Sequence, residues 1–117
     1  MIAKQLVEIR SYKLKPGSGA AFHRAFSGDG IPLVRETGMD VVAFGHSAHD
    51  PDGYYLIRAF DSLEHRETSQ NAFYSSDAWR MGPREAIVGH IETYVDTVVW
   101  LSEAALTELR ASLAASP

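Results

Sequence analysis

Histidine, arginine and aromatic residues carry the candidate chemistry of this 117-residue chain. His23 follows Phe22 just before Gly28 and Gly30. An imidazole titrates near neutrality, so His23 could act as a general base toward an acidic C–H or a phenol. The competing reading is a surface helix residue beside Arg24. His90 stands where a helical stretch gives way to a strand, and there it either moves a proton or hydrogen-bonds the backbone at the corner. Arg58 belongs with Glu8, Arg10 and Glu92 to a charged set that alternates along strands. A guanidinium grips a carboxylate as a fork, so Arg58 could anchor an anion. The alternative is a salt-bridged network across strands or at a dimer core. Tyr74 and Trp79 could form an aromatic wall with a polar handle on each ring, or pack the core under an irregular helix. His46 and His49 form an H-x-x-H at a strand end, where alternation sends them to opposite faces, so no metal site is expected. Asp77 and Arg80, three apart with Arg84 nearby, read as a clamp on a broken helix.

Bulk properties narrow the classes. A net charge of -4 argues against nucleic acid as the main partner, because phosphate binding needs a basic footprint. The absence of cysteine excludes disulfides, thiolate metal sites and cysteine nucleophiles. Apolar runs such as Val41-Val42-Ala43-Phe44 fall far below the roughly 20 residues needed to span a bilayer. The N-terminus enters a strand pattern almost at once, which reads as a chain without a signal peptide. The expectation is a cytoplasmic protein with no membrane span, forming one domain over residues 1–117.

The positioning elements are legible in the spacing. Gln5 to Leu14 alternates as a strand, and Lys15-Pro16-Gly17 breaks it. Ser18 to Phe26 reads as a helix with Phe22 and Phe26 on one face. Ser27-Gly28-Asp29-Gly30 is expected to interrupt it, Pro32 to restart a turn, and Gly38 to close it. Asp40–Ala48 and Gly53–Phe60 are strands joined by Asp50-Pro51-Asp52-Gly53, a turn in which proline presets φ. Asp61 is read as a helix cap with Glu64 in the third position. Three helical pieces follow, Asp61–Tyr74, Ser76–Met81 and Pro83–Val88, before a strand from His90 to Leu101. Ser102 and Glu103 open a last helix with Leu106, Leu109 and Leu113 on one stripe.

The order β-α-β-β-α-β plus a terminal helix is the ferredoxin-like pattern, an α+β fold with a four-stranded antiparallel sheet. Helices after the first and third strands cover one face. Yet both faces carry apolar side chains: Val95, Thr97, Val99 and Leu101 oppose Tyr94, Val98 and Trp100 on the last strand. A second copy of the sheet is the simplest further cover, which predicts a homodimer packed face to face.

Several segments resemble the NIPSNAP family: Val7-Glu8-Ile9-Arg10-Ser11-Tyr12, Lys15-Pro16-Gly17, Phe60-Asp61-Ser62-Leu63 and Phe73-Tyr74-Ser75-Ser76-Asp77-Ala78-Trp79. Gly82-Pro83-Arg84-Glu85 and His90-Ile91-Glu92 continue the match. The resemblance implies a dimeric α/β barrel and supplies no catalytic motif to carry over. Relatives of such barrels often hold a small ligand between sheet and helices. Tyr12, Phe26, Arg58, Tyr74 and Trp79 are expected to approach that space, with His23 and His90 as the candidate catalytic residues. The first functional reading is a protein that binds a small aromatic or polyketide-like molecule. The second, of a different class, is a non-catalytic homodimeric interaction module working through its dimer surface and the Leu106-Leu109-Leu113 stripe. The third is a cofactor-free monooxygenase or cyclase, or a haem-binding barrel. No cofactor is expected from the motifs, with haem left open by the breadth of the superfamily.

Overall fold

The computed structural model describes residues 4–114. Four strands, β1 (Lys4–Leu14), β2 (Asp40–His46), β3 (Gly53–Phe60) and β4 (Ile91–Ser102), form one sheet in the order β2-β3-β1-β4. Every neighbouring pair is antiparallel. Helices α1 (Gly19–Ala25) and α2 (Ile31–Glu36) link β1 to β2. Helices α3 (Leu63–Ser75), α4 (Asp77–Arg80) and α5 (Arg84–Val88) link β3 to β4, and α6 (Glu103–Ala114) follows β4. This is the α+β topology that the alternation and turn residues predict.

The glycine-rich segment after α1 departs from expectation. Instead of breaking the helix, Phe26–Gly30 widens it into a π-helical turn, and the Ile31 N–H reaches back five residues to the Phe26 carbonyl. Gly30 packs so tightly that a Cβ there would lie 2.7 Å from Ile87 Cδ1. Glycine is therefore a packing requirement at this position, where the π turn approaches α5. The helix stops at Gly38, whose φ of +90° suits only a residue without a side chain.

Two capping details also differ. Ser62, not Asp61, caps α3: its hydroxyl accepts the His65 N–H at 3.0 Å from extended backbone. Asp61 instead donates its backbone N–H to His65 Nδ1. Ser76 caps α4 by accepting the Trp79 N–H, and Ser102 caps α6 by accepting the Ala105 N–H.

Register decides what each sheet face presents. On the inner face, under α1 to α5, β1 places Leu6, Glu8, Arg10, Tyr12 and Leu14. Glu8 lies opposite Arg58 of β3, Arg10 opposite Asp96 of β4, and Tyr12 between Tyr54 and Tyr94. The main core fills the two ends of this face with Phe22, Phe26, Ile31, Phe60, Phe73, Trp79 and Ile87. Burying each such side chain is worth about 1.5–3 kcal/mol.

The outer face is covered in a way the strands alone do not predict. Leu106, Leu109 and Leu113 of α6 fold back onto Val7, Ile57, Ala59 and Leu101. The leucine stripe is thus spent on the chain's own sheet and is not a free working surface. Part of that face stays open: Val95 is 64% exposed and Ile9 36%. Among the described residues, no helix is long and apolar enough to cross a membrane.

Candidate functional site

The middle of the inner face holds an ionic network. The Arg58 guanidinium donates from Nε (3.0 Å) and Nη2 (2.5 Å) to Glu8 Oε1, and neither side chain is exposed to solvent. The other Glu8 oxygen accepts from Arg66 at 2.7 Å and from Gln70. Arg10 donates to both oxygens of Asp96 at 2.7 and 3.0 Å, and Arg66 reaches Asp96 at 3.1 Å. The elements explain the convergence. Glu8, Arg10, Arg58 and Asp96 alternate onto one sheet face, while Arg66, Gln70 and Tyr74 recur every four residues on α3 and so share the helix side that lies above them. No buried side-chain nitrogen or oxygen among the described residues lacks a hydrogen-bond partner. Burial works to raise the Glu8 pKa, but the Arg58 charge, with hydrogen bonds from Arg58 and Gln70 and the Arg10 charge, outweighs it and holds Glu8 below its ordinary value.

Tyr74 joins this network to a cavity. Its hydroxyl accepts from Arg10 Nη1 at 3.1 Å and from Arg58 Nη1 at 3.2 Å. Above it, between the sheet and α2 to α5, lies a cavity of about 680 Å³ lined by Arg10, Tyr12, Phe26, Gln70, Tyr74, Trp79 and Tyr94 among others. Trp79 packs edge-on to Tyr74 with centroids 5.6 Å apart, and Phe26 lies edge-on to Tyr12 at 5.8 Å. The Arg10 guanidinium sits 4.5 Å from the Tyr94 ring centroid, a cation–π distance. The Tyr12 hydroxyl has its pKa raised, first by burial and then by nearby Tyr74. Tyr12 is therefore a neutral phenol at physiological pH.

Of the residues singled out by sequence, Tyr12, Phe26, Tyr74 and Trp79 come together around this cavity. Arg58 lies one layer deeper, bonded to Tyr74 from below. His23 sits away from it, at the sheet end formed by β2 and β3. There His23 Nδ1 is 2.6 Å from the Tyr54 hydroxyl, and the His23 ring is 4.7 Å from that of His46. Burial first, and then His46, lower the His23 pKa. His90 occupies the turn before β4, where its carbonyl accepts the Lys15 N–H and its own N–H reaches the Ile87 carbonyl. His46 packs against the His23 and Tyr54 rings while His49 meets Ser47, and no metal-binding group of three ligands occurs among the described residues.

Four charged residues do something other than expected. Glu92 is not in the network but pairs at the surface with Lys13. Arg80 and Asp77 are 3.9 Å apart and largely exposed, too loose and too wet for a clamp. Arg84 pairs with its neighbour Glu85. Trp79, in contrast, is buried at the break against Phe73 and Tyr74. Asp96, Arg66 and Gln70 escaped sequence reasoning, although the four-residue spacing of Arg66, Gln70 and Tyr74 was a visible signal.

The fold and this site define a ferredoxin-like α+β protein with a polar, arginine-rich floor beneath an aromatic cavity. The chain belongs to the NIPSNAP family, whose family model matches residues 7–104. A NIPSNAP family protein of unknown function from Agrobacterium tumefaciens is similar in structure at 23% identity, with 84% of this chain and 88% of that chain covered and a TM-score of 0.77. A NIPSNAP-like domain protein from Burkholderia xenovorans is similar at 19% identity over 81% and 83% of the two chains, TM-score 0.74. A Nitrosomonas europaea protein provisionally named an antibiotic biosynthesis monooxygenase shares the fold at 19% identity over 82% and 95%, TM-score 0.57. No curated protein matches the chain.

Proposed function

We propose that this protein binds a small aromatic or polyketide-like molecule in the cavity between sheet and helices. One observation carries the reading: Tyr12, Phe26, Tyr74 and Trp79, on four different elements or junctions, converge on one cavity of about 680 Å³ that also receives the Arg10 guanidinium. Its size lies within the range of small-molecule sites, and apolar walls with few placed polar groups are their usual composition. Arg58 contributes charge and rigidity from beneath. Binding, rather than proton transfer by His23 or His90, is the better supported activity, because neither histidine lines the cavity.

A homodimer is part of the proposal. It is supported by the apolar side chains that α6 leaves uncovered on the outer face, Ile9 and Val95. Native mass spectrometry of freshly purified protein tests both parts. The expected spectrum shows the dimer mass and, under gentle desolvation, a retained small molecule. A stable monomer overturns the dimer, and an unchanged Trp79 emission across a panel of planar aromatic compounds overturns the ligand reading.

A further inference from the structure

The Tyr74 oxygen accepts two guanidinium N–H groups, from Arg10 at 3.1 Å and Arg58 at 3.2 Å. With both lone pairs so engaged, its own O–H is left to donate. Two cationic donors on one phenolic oxygen strengthen that O–H as a donor, since chained hydrogen bonds polarise one another. Arg10 is also incompletely used. Four of its five N–H groups go to Asp96, Tyr74 and, at 3.5 Å, Gln70, leaving one on Nη1. The charge of the network points the same way. Three guanidiniums (Arg10, Arg58, Arg66) face two carboxylates (Glu8, Asp96), so one positive charge is in excess beneath the cavity. The ion pairs at the cavity rim, Arg84 with Glu85 and Glu92 with Lys13, are each balanced.

We infer that Arg10 and Tyr74 form an oxyanion-recognition site that takes the carboxylate, phenolate or enolate oxygen of a planar, singly charged aromatic ligand. The inference rests on the proposed ligand-binding function and names its substrate class. The ring lies among Trp79, Phe26 and Tyr12, and the charged oxygen meets the Tyr74 O–H and the free Arg10 N–H. Tyr74 is thereby a binding residue held in place by two arginines, not merely a wall.

The test uses 2-naphthoate and its neutral near-isostere 2-naphthamide, titrated into the full chain by calorimetry. Quenching of Trp79 emission is followed in a Trp100→Phe background, where Trp79 is the sole tryptophan. Naphthoate is expected to bind at least tenfold more tightly than naphthamide. Tyr74→Phe is expected to weaken naphthoate binding more than naphthamide binding and so to shrink that preference severalfold. Equal affinity of the two probes for the unmodified protein overturns the inference and leaves the cavity reading standing; this comparison does not depend on the variant folding. A preference that survives intact in a folded Tyr74→Phe protein also overturns it. If neither probe binds or quenches Trp79, the cavity reading and the inference fall together.

Discussion

Arg58 and Glu8 face each other across β3 and β1 with two hydrogen bonds to one carboxylate oxygen and no exposure to solvent. A pair buried this deeply is stable only while both members remain. Arg58→Met leaves the Glu8 charge under-compensated and is expected to cost about 3–5 kcal/mol, read by urea denaturation at pH 7. A loss below about 1 kcal/mol means that Arg66 and Gln70 suffice for Glu8.

The same carboxylate sets an acid limit. Its folded pKa lies below the ordinary carboxylate value of 4.5, so the folded state binds fewer protons than the unfolded chain as pH falls through that region. Its contribution is fully present above about pH 5 and is lost progressively as the folded pKa is crossed. Denaturation midpoints measured between pH 7 and pH 3 should fall steeply, and Glu8→Gln should flatten the lower part of that profile even as it lowers the plateau.

His23 follows the same sign at higher pH, passing from neutral to cationic as it gains its proton. Burial and His46 lower its folded pKa from 6.5, so native His23 stays neutral where the unfolded residue has begun to protonate. Its contribution is present above about pH 6.5 and declines below it. Proton NMR should place the His23 transition below 6.5, and His46→Ala should move it upward. An unmoved transition would show that His46 exerts no charge effect there.

α6 should behave as part of the core. Leu106 is 5% exposed against the outer sheet face, and Leu106→Ala is expected to destabilise by about 2–5 kcal/mol in chemical denaturation. Arg80→Ala, which breaks only an exposed pair, should change stability by no more than about 0.5 kcal/mol.

The uncovered part of that face tests the dimer. Val95→Lys puts a charge on its most exposed apolar residue, and light scattering after size exclusion should show the proposed dimer shift to monomer with the fold retained by circular dichroism. A dimer undisturbed by Val95→Lys and by Ile9→Lys places the subunit contact elsewhere.

How much of this was legible in sequence depends on where the physics is local. The Asp50-Pro51-Asp52-Gly53 turn fixed the start of β3 at Gly53, because proline and glycine restrict the backbone directly. Ser27-Gly28-Asp29-Gly30 misled for the same reason: two glycines suggest a break, while tight packing of Gly30 on Ile87 keeps the helix going as a π turn. Asp61 and Ser62 are both good caps, and local composition does not choose between them. Tyr12, Phe26, Tyr74 and Trp79 were readable as a set because aromatic residues beside chain irregularities are conspicuous. Arg66, Gln70 and Asp96 were not, since a polar stripe on a helix normally faces water. Only the tertiary position of α3 over the sheet turns that stripe inward. The cover supplied by α6 was missed similarly; its leucine stripe was plain, but its destination is a long-range fact.

The guanidiniums under the cavity have one more implication. Arginine keeps its proton throughout the range in which proteins are handled, so this half of the floor is a fixed charge rather than a titrating one. Binding of an ionisable aromatic compound should then follow the ligand's own proton, rising as the compound becomes an anion. The timing of the switch is written in the guest molecule, and the protein contributes a constant background field against which that switch is read.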